Sequence, residues 1–281
     1  MPQTWLTVIA WIWLGFGFIS SGLILFDIFV RGYRQRMAVM DAVYPITALY
    51  LGPLALWFYW RWGRNAARLA TEHGRASGAA GMHPRAALPE MAMASARRSL
   101  PEREDRDANH DTLHAAGSHG PRDSAHPAAA EKPRWVTLAI EVSHCGAGCT
   151  LGDVIAEWTL YALALTIAGH ALFAEYIGDY ILALAFGIVF QYFAIAPMRG
   201  LGLWDGLKAA ARADFVSLTF FEIGLFGWMA LMAFVLFPAP HHLMPNSPAY
   251  WFLMQIGMTV GFLTSWPANV WLLNRGIKVP M

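Results

Sequence analysis

Six long apolar stretches constrain this chain more than any other feature of its sequence. A helix needs about 20 apolar residues to cross the hydrocarbon core of a bilayer, and each stretch is close to that length. Because lipid offers no partners for exposed backbone groups, such stretches must be helical. We therefore expect an all-α, polytopic transmembrane helical bundle of about six spans, over residues 5–29, 38–60, 152–173, 179–198, 215–237 and 250–273.

The composition favours the same class. Only 14% of the 281 residues are charged, whereas soluble domains carry about 25%. Tryptophan, which favours the membrane interface, occurs 13 times. The net charge of +1 argues against a nucleic-acid partner, since proteins that bind nucleic acid carry a strongly basic surface. The lipid bilayer is therefore the partner that the sequence predicts. A homo-oligomer is compatible with it, and no protein partner is indicated.

The second and third stretches are separated by residues 63–134, which are rich in Ala, Arg, His and Pro. A segment with so few large apolar side chains cannot bury enough surface to order itself. We predict a disordered cytosolic insert there, between a two-helix part at 1–62 and a four-helix part at 135–281. The irregular spacing of its histidines favours a solvated linker over a metal buffer, and both interpretations stay open.

Basic residues near the ends of the stretches predict the orientation, because Lys and Arg collect on the cytoplasmic side of a membrane. Under a six-span topology, one set of loops carries ten such residues, while the opposite set carries only Arg31, Arg34 and Arg36. This asymmetry predicts an inner-membrane protein with both termini and the long insert in the cytosol. The loop at 238–249 would then face outside.

The motif SHCGAGCTLGD, residues 143–153, places two thiols and an imidazole just before the third stretch. With a helix that begins near Cys149, residues 149, 153 and 157 recur at every fourth position and share one face. Thiolate and imidazole ligands suit copper or zinc. Two other interpretations stay open: a glycine-rich helix cap with buried cysteines, and a redox-active thiol pair. The inner candidate metal site comprises His144, Cys145, Cys149, Asp153 and Glu157.

Polar side chains in the other stretches predict a path across the membrane. A charged group at the bilayer centre costs roughly 2.5–3.5 kcal/mol, so it usually faces a bundle interior or a watery path. A structural pair bonded between helices is the alternative. The predicted pathway residues are His170, Glu222 and Gln255. At the outer surface, imidazole and thioether groups that suit copper form a second candidate site of His241, His242 and Met244.

Four segments carry a family resemblance. They are QRMAVMDAVYPITALYLGP (35–53), SHCGAGCTLGD (143–153), APHHLMPNSPAYWFLMQIGM (239–258) and GFLTSWPANVWLLNRGIKVPM (261–281). Together they resemble a bacterial membrane family known as the domain of unknown function DUF4396. The resemblance covers most of the chain outside the insert and implies a multi-pass membrane protein. It implies no activity and supplies no catalytic or binding residue.

The sequence thus favours a transporter or channel for a metal ion or protons. It contains no Walker loop, no dinucleotide-binding glycine motif and no His-Glu-x-x-His, which would indicate ATP, nicotinamide or metalloprotease chemistry. No catalytic residue or organic cofactor is therefore predicted. Two alternatives stay open. One is a membrane thiol oxidoreductase that uses Cys145 and Cys149, and the other is a non-catalytic scaffold that docks partners through the insert.

Overall fold

The computed structural model describes residues 4–35, 37–64, 133–200 and 202–278, and these ranges confirm the predicted all-α class. Single π-helical turns continue α3 over Tyr59–Gly63 and α6 over Met232–Leu236. The predicted insert at 63–134 falls almost wholly outside the described residues. The α-helices of the described ranges are α1 (Thr4–Phe29), α2 (Met40–Leu51), α3 (Pro53–Phe58), α4 (Arg134–Leu163), α5 (Ala171–Arg199), α6 (Leu203–Leu231) and α7 (Pro248–Asn274).

Three helices of the described ranges are long and apolar enough to cross a membrane, fewer than the six spans predicted. They cover Thr4–Phe29, Ala171–Ala194 and Asp214–Leu236. These helices are compatible with a membrane protein. α4 and α7, with 30 and 27 residues, are also long enough for the hydrocarbon core, but their polar side chains lower their hydropathy.

The third predicted stretch, 152–173, is misplaced. α4 begins at Arg134 and ends at Leu163, and residues 164–170 form an exposed connection to α5. The hydropathy pattern does not predict the first half of α4 as a helix, because Gly, Ser and His lower the mean hydropathy of that segment. These residues nevertheless form a helix, since residues 138–150 are all buried against protein.

The second predicted stretch, 38–60, is a hairpin rather than one long helix. α2 and α3 meet at Gly52, whose φ of +55° is a backbone conformation that glycine tolerates best. The ring of Tyr59 in the returning arm lies 5.3 Å from the ring of Tyr44 in the outgoing arm. The Nε of Arg64 is 3.3 Å from the Oδ2 of Asp27. After the hairpin, the chain therefore returns to the C-terminal end of α1.

The other long helices alternate in direction. α5 contacts α6 near both ends of their interface. At one end, the Tyr176 hydroxyl donates to the Phe226 backbone oxygen at 2.8 Å. At the other end, Gly187 lies against Asp214. α7 then runs back beside α6, where Asn269 donates to the Ser217 hydroxyl at 2.7 Å. The result is a bundle in which α4, α5, α6 and α7 pack as consecutive antiparallel neighbours.

All described lysines and arginines adjoin one end of this bundle, which we call the basic end. There the Trp135 ring of α4 lies 5.8 Å from the Trp62 ring, and Arg134 donates to Asn274 at the end of α7. The opposite end holds the connections 164–170 and 237–247, whose sequences contain no Lys or Arg. The predicted division of the basic residues into ten and three is wrong, because the hairpin brings Arg31 and Arg34 to the end that also holds Arg64. The basic end contains Arg31, Arg34, Arg61, Arg64, Arg134, Arg199, Lys208, Arg212, Arg275 and Lys278.

Small residues bring α4 and α5 into backbone contact. A Cβ added at Gly148 would lie 2.8 Å from the Cα of Gly187, and one at Gly152 would overlap the backbone of Ala183. Both helices thus carry small residues four positions apart, a pattern that lets membrane helices approach closely. The glycines of the HCGAGC motif therefore lie inside a helix and serve packing. The glycine-rich helix cap and the helix start near Cys149 are both wrong.

Replacing Gly152 with alanine is expected to lower the free energy of unfolding by about 1–3 kcal/mol, the usual cost of overpacking. The matched control is Gly227→Ala in α6, where an added Cβ meets nothing within 4 Å. That variant should be neutral or slightly stabilised, since alanine favours a helix over glycine by roughly 0.5–1 kcal/mol. Thermal unfolding in detergent, followed by circular dichroism, compares the two. Equal midpoints would contradict the close contact of α4 with α5.

Candidate functional site

A row of buried side chains, the α4 row, runs along one helix. Glu141, Cys145, Cys149, Asp153 and Glu157 recur at every fourth position, and none is more than 1% exposed. At 1.5 Å per residue, the row extends about 24 Å along the helix axis. Each step of four residues exceeds a 3.6-residue turn by about 40°, so the row winds about 160° around the helix. Its two ends therefore face different neighbouring helices.

Four acids meet in the half of the bundle toward the opposite end, and we call them the acid cluster. Asp179 in α5 lies near Asp153 and Glu157 of α4 and near Glu222 of α6, and Asp153 also lies near Glu222. All four are buried, and the carboxyl group of Glu157 lies beside that of Asp179 and the hydroxyl of Tyr250. Half-buried Glu175, within reach of Glu157, extends the cluster toward the connection at 164–170. The acid cluster thus gathers four ionisable carboxyl groups in the buried interior of the bundle.

The lysine cluster occupies the basic end and consists of Glu141, Asp214, Asn269 and Lys278. The Lys278 ammonium, which follows α7 in the chain, lies 3.5 Å from the Glu141 carboxylate and donates to the Asn269 side-chain oxygen at 3.0 Å. Asp214 occupies space that a side chain at Gly187 would fill. Burial lowers the pKa of Lys278, but the Glu141 and Asp214 carboxylates outweigh it, and the pKa is raised above its usual value. Lys278 is therefore a charged ammonium at neutral pH.

The two thiols lie between the clusters. Cys145 and Cys149 are free and fully buried. Cys145 is within reach of Asp214, and Cys149 is within reach of Glu222. Cβ atoms one helical turn apart are about 5–6 Å from each other, whereas a disulfide needs about 3.5–4.5 Å. A disulfide between them would require α4 to open, so the geometry does not favour a redox-active pair.

The five residues of the inner candidate site are buried along α4 without forming a metal-binding geometry. His144 packs its ring 6.2 Å from Phe190, and neither of its nitrogens has a hydrogen-bond partner among the described side chains and backbone. Within the described ranges, no three His, Cys, Asp or Glu side chains are arranged to hold a metal ion. The ligands predicted for copper or zinc thus share a helix but do not converge.

The other predicted site residues are dispersed. His170 lies exposed at the end of the connection between α4 and α5, so its predicted depth in the bundle is wrong. His241, His242 and Met244 all lie exposed in the loop at the opposite end, and the side chain of Met244 is 52% exposed. Gln255 donates its side-chain amide to the Leu49 backbone oxygen near the hairpin tip. Only Glu222 of the predicted pathway joins the acid cluster.

Sequence reasoning misses Glu141, Tyr50 and Lys278. The signal for Glu141 is present, since the fourth-residue spacing of 149, 153 and 157 continues backward through 145 to 141. Glu141 is overlooked because the hydropathy pattern places the start of the helix too far toward the C-terminus. No local pattern indicates that the hairpin brings Tyr50 to α4, or that Lys278 folds back into the bundle. Those placements depend on tertiary structure.

One known protein family matches the part of the chain that contains the α4 row. The family described as "Domain of unknown function (DUF4396)" matches residues 134–278, from the first residue of α4 to Lys278. The match therefore contains the whole α4 row and both clusters, while α1 and the hairpin lie outside it. No curated protein and no solved structure matches the chain. Since the family covers more than half of the sequence, the chain belongs to DUF4396, a domain of unknown function.

Proposed function

We propose that this protein is a multi-pass membrane protein that carries protons across the bacterial inner membrane along the α4 row. The observation that supports the proposal most directly is the row itself. It places ionisable side chains over about 24 Å, most of the thickness of a hydrocarbon core of about 30 Å. Intramembrane acids of this kind commonly mark proton relays.

The balance of charge in the bundle favours protons as the cargo. Six buried acids, Glu141, Asp153, Glu157, Asp179, Asp214 and Glu222, face one buried lysine among the described residues of this region. Six buried carboxylates would repel one another strongly if all of them were ionised. The acid cluster can relieve this repulsion by holding protons, which leaves its carboxyl groups neutral and able to pass a proton on.

A proton is also a better fit than a metal ion for stereochemical reasons. Structural zinc takes four ligands in a tetrahedral arrangement, and no such group forms in the described ranges. A proton needs only one lone pair at each step. Each transfer would move one proton from a carboxylic acid to a neighbouring carboxylate, either directly or through one water within hydrogen-bond reach. The ionisable side chains of the α4 row can act as the donors and acceptors of these transfers.

The proposed orientation puts the basic end in the cytosol, because Lys and Arg collect on that side of membranes. All 20 lysines and arginines lie within residues 31–134 and 199–278, and every described one adjoins the basic end. In this topology, α1, α4, α5, α6 and α7 cross the membrane, and the hairpin enters and leaves from the cytosolic side. Thr4, at the start of α1, would then face outside.

Proton flux into liposomes tests the proposal. Purified protein is reconstituted with an internal pH-sensitive dye, and a potassium gradient with valinomycin supplies the driving potential. The wild-type protein should acidify the vesicles faster than protein-free liposomes do. Glu222→Gln should reduce that flux by about 100-fold, the usual scale for removing a proton-transfer group. A wild-type rate equal to that of empty liposomes would contradict the proposed function.

The matched control for Glu222→Gln is Asp205→Asn. Both substitutions neutralise an acid of α6, but Asp205 is exposed at the basic end, outside both clusters. Its variant should keep the wild-type flux. Equal losses in the two variants would show that flux depends on the overall charge of the helix, not on the acid cluster.

A further inference from the structure

The two clusters are too far apart to exchange protons directly. Along α4, Glu141 and Asp153 are 12 residues apart, about 18 Å, and along α6, Asp214 and Glu222 are 8 residues apart, about 12 Å. Proton transfer requires donor and acceptor within about 2.6–3.2 Å, or one water between them. A path along the α4 row therefore needs a further group at the level of Cys145 and Cys149.

The hairpin brings a hydroxyl to this level. Tyr50 precedes the hairpin turn by two residues and is 1% exposed. Its ring packs in the same buried cluster as both thiols. A Cβ added at Gly146 would lie 2.7 Å from the Tyr50 hydroxyl oxygen. This hydroxyl thus lies against α4, one residue from Cys145, with the side chain of Thr47 beside it.

The hairpin tip is held from two sides. The Gln255 side-chain amide of α7 donates to the Leu49 backbone oxygen, which belongs to the carbonyls left unpaired where α2 ends. On the other side, a Cβ added at Gly17 of α1 would lie 2.6 Å from the same oxygen. Irregular backbone at membrane depth is tolerated where protein buries it or where it lines a cavity. These contacts fix Tyr50 beside the thiols.

We propose that the Tyr50 hydroxyl is the relay that joins the acid cluster to the lysine cluster, with the hairpin as the element that positions it. This inference rests on the proposed function. A phenolic hydroxyl is both donor and acceptor, so it can take a proton on its oxygen and give its own proton to the next group. It is chemically unchanged once both steps are complete. The thiols on either side, or a water beside them, are its immediate partners.

Tyr50→Phe removes the hydroxyl and keeps the ring. We expect the liposome proton flux to fall by at least about tenfold, with little change in the unfolding midpoint. The matched control is Tyr59→Phe in the returning arm of the same hairpin. The Tyr59 hydroxyl is equally buried, but it lies beside Asp27 and Arg64 and not beside the thiols. Tyr59→Phe should keep the wild-type flux.

Incorporation of a fluorinated tyrosine at position 50 separates a relay from a packing role. Fluorination makes the phenol more acidic and preserves its shape, so the pH profile of flux should shift toward lower pH. A pure packing role predicts an unchanged profile, and this variant remains informative if Tyr50→Phe fails to fold. Wild-type flux in Tyr50→Phe would overturn the relay and leave the proposed function intact. Absence of flux in the wild type would overturn both.

Discussion

Replacing Lys278 with methionine is expected to lower the free energy of unfolding by about 3–5 kcal/mol, the range seen when one partner of a buried ion pair is removed. The side chains of Lys278 and Glu141 are both fully buried, 3.5 Å apart, and Asp214 lies within reach of the same ammonium. Methionine fills a similar volume without the charge, so the loss would come from two carboxylates left uncompensated. Thermal or denaturant unfolding in detergent measures it.

Two further variants identify the cause of that loss. Lys208→Met makes the same substitution at an exposed position of α6, and its stability should stay within about 0.5 kcal/mol of the wild type. The double variant Lys278→Met with Glu141→Gln removes one of the stranded charges and should recover a large part of the lost stability. Equal stabilities for Lys278→Met and Lys208→Met would show that Lys278 is not the counter-ion of this cluster.

The fold is predictable from the sequence where a helix is long and apolar enough to cross a membrane. α1, α5 and α6 meet that condition, and the predicted stretches 5–29, 179–198 and 215–237 lie on them. Hydropathy does not reveal the start of α4, because a helix surrounded by other helices has no need of a lipid-facing apolar surface. It also fails for the hairpin. Pro45 and Pro53 both fit a kinked long helix, and the reversal at Gly52 depends on contacts with α1 and α7.

The candidate site, like the fold, is predictable from the sequence only in part. The fourth-residue spacing of Cys149, Asp153 and Glu157 predicts one face of a helix from sequence alone, and the structure confirms that face. The metal-site interpretation starts the helix near Cys149, so that the first glycines of the motif precede it. Instead, Gly148 and Gly152 are packing residues within α4, and they bring Asp179 of α5 close to the acids. Side chains supplied by other helices, such as Tyr50 and Asp214, cannot be inferred from spacing along α4.

Labelling single cysteines is expected to place the segment after α1 in the cytosol. A six-span topology puts Arg34 outside, whereas the hairpin puts it at the same end as Arg64 and Arg134. In the proposed orientation, Arg34→Cys should react with a membrane-impermeant maleimide in inside-out vesicles and stay unlabelled in intact spheroplasts. Its side chain is 61% exposed, so accessibility would not limit the reaction. The native cysteines are fully buried and should contribute little signal.

Two reference positions calibrate the labelling. Thr166→Cys, in the exposed connection at the opposite end, should label in spheroplasts, and Asp205→Cys, exposed at the basic end, should label only in inside-out vesicles. Arg34→Cys must follow Asp205→Cys if the hairpin returns to the cytosolic side. If it follows Thr166→Cys instead, residues 38–60 cross the membrane. Tyr50 would then no longer reach α4 from the basic end, and the chain would have the six spans expected from hydropathy.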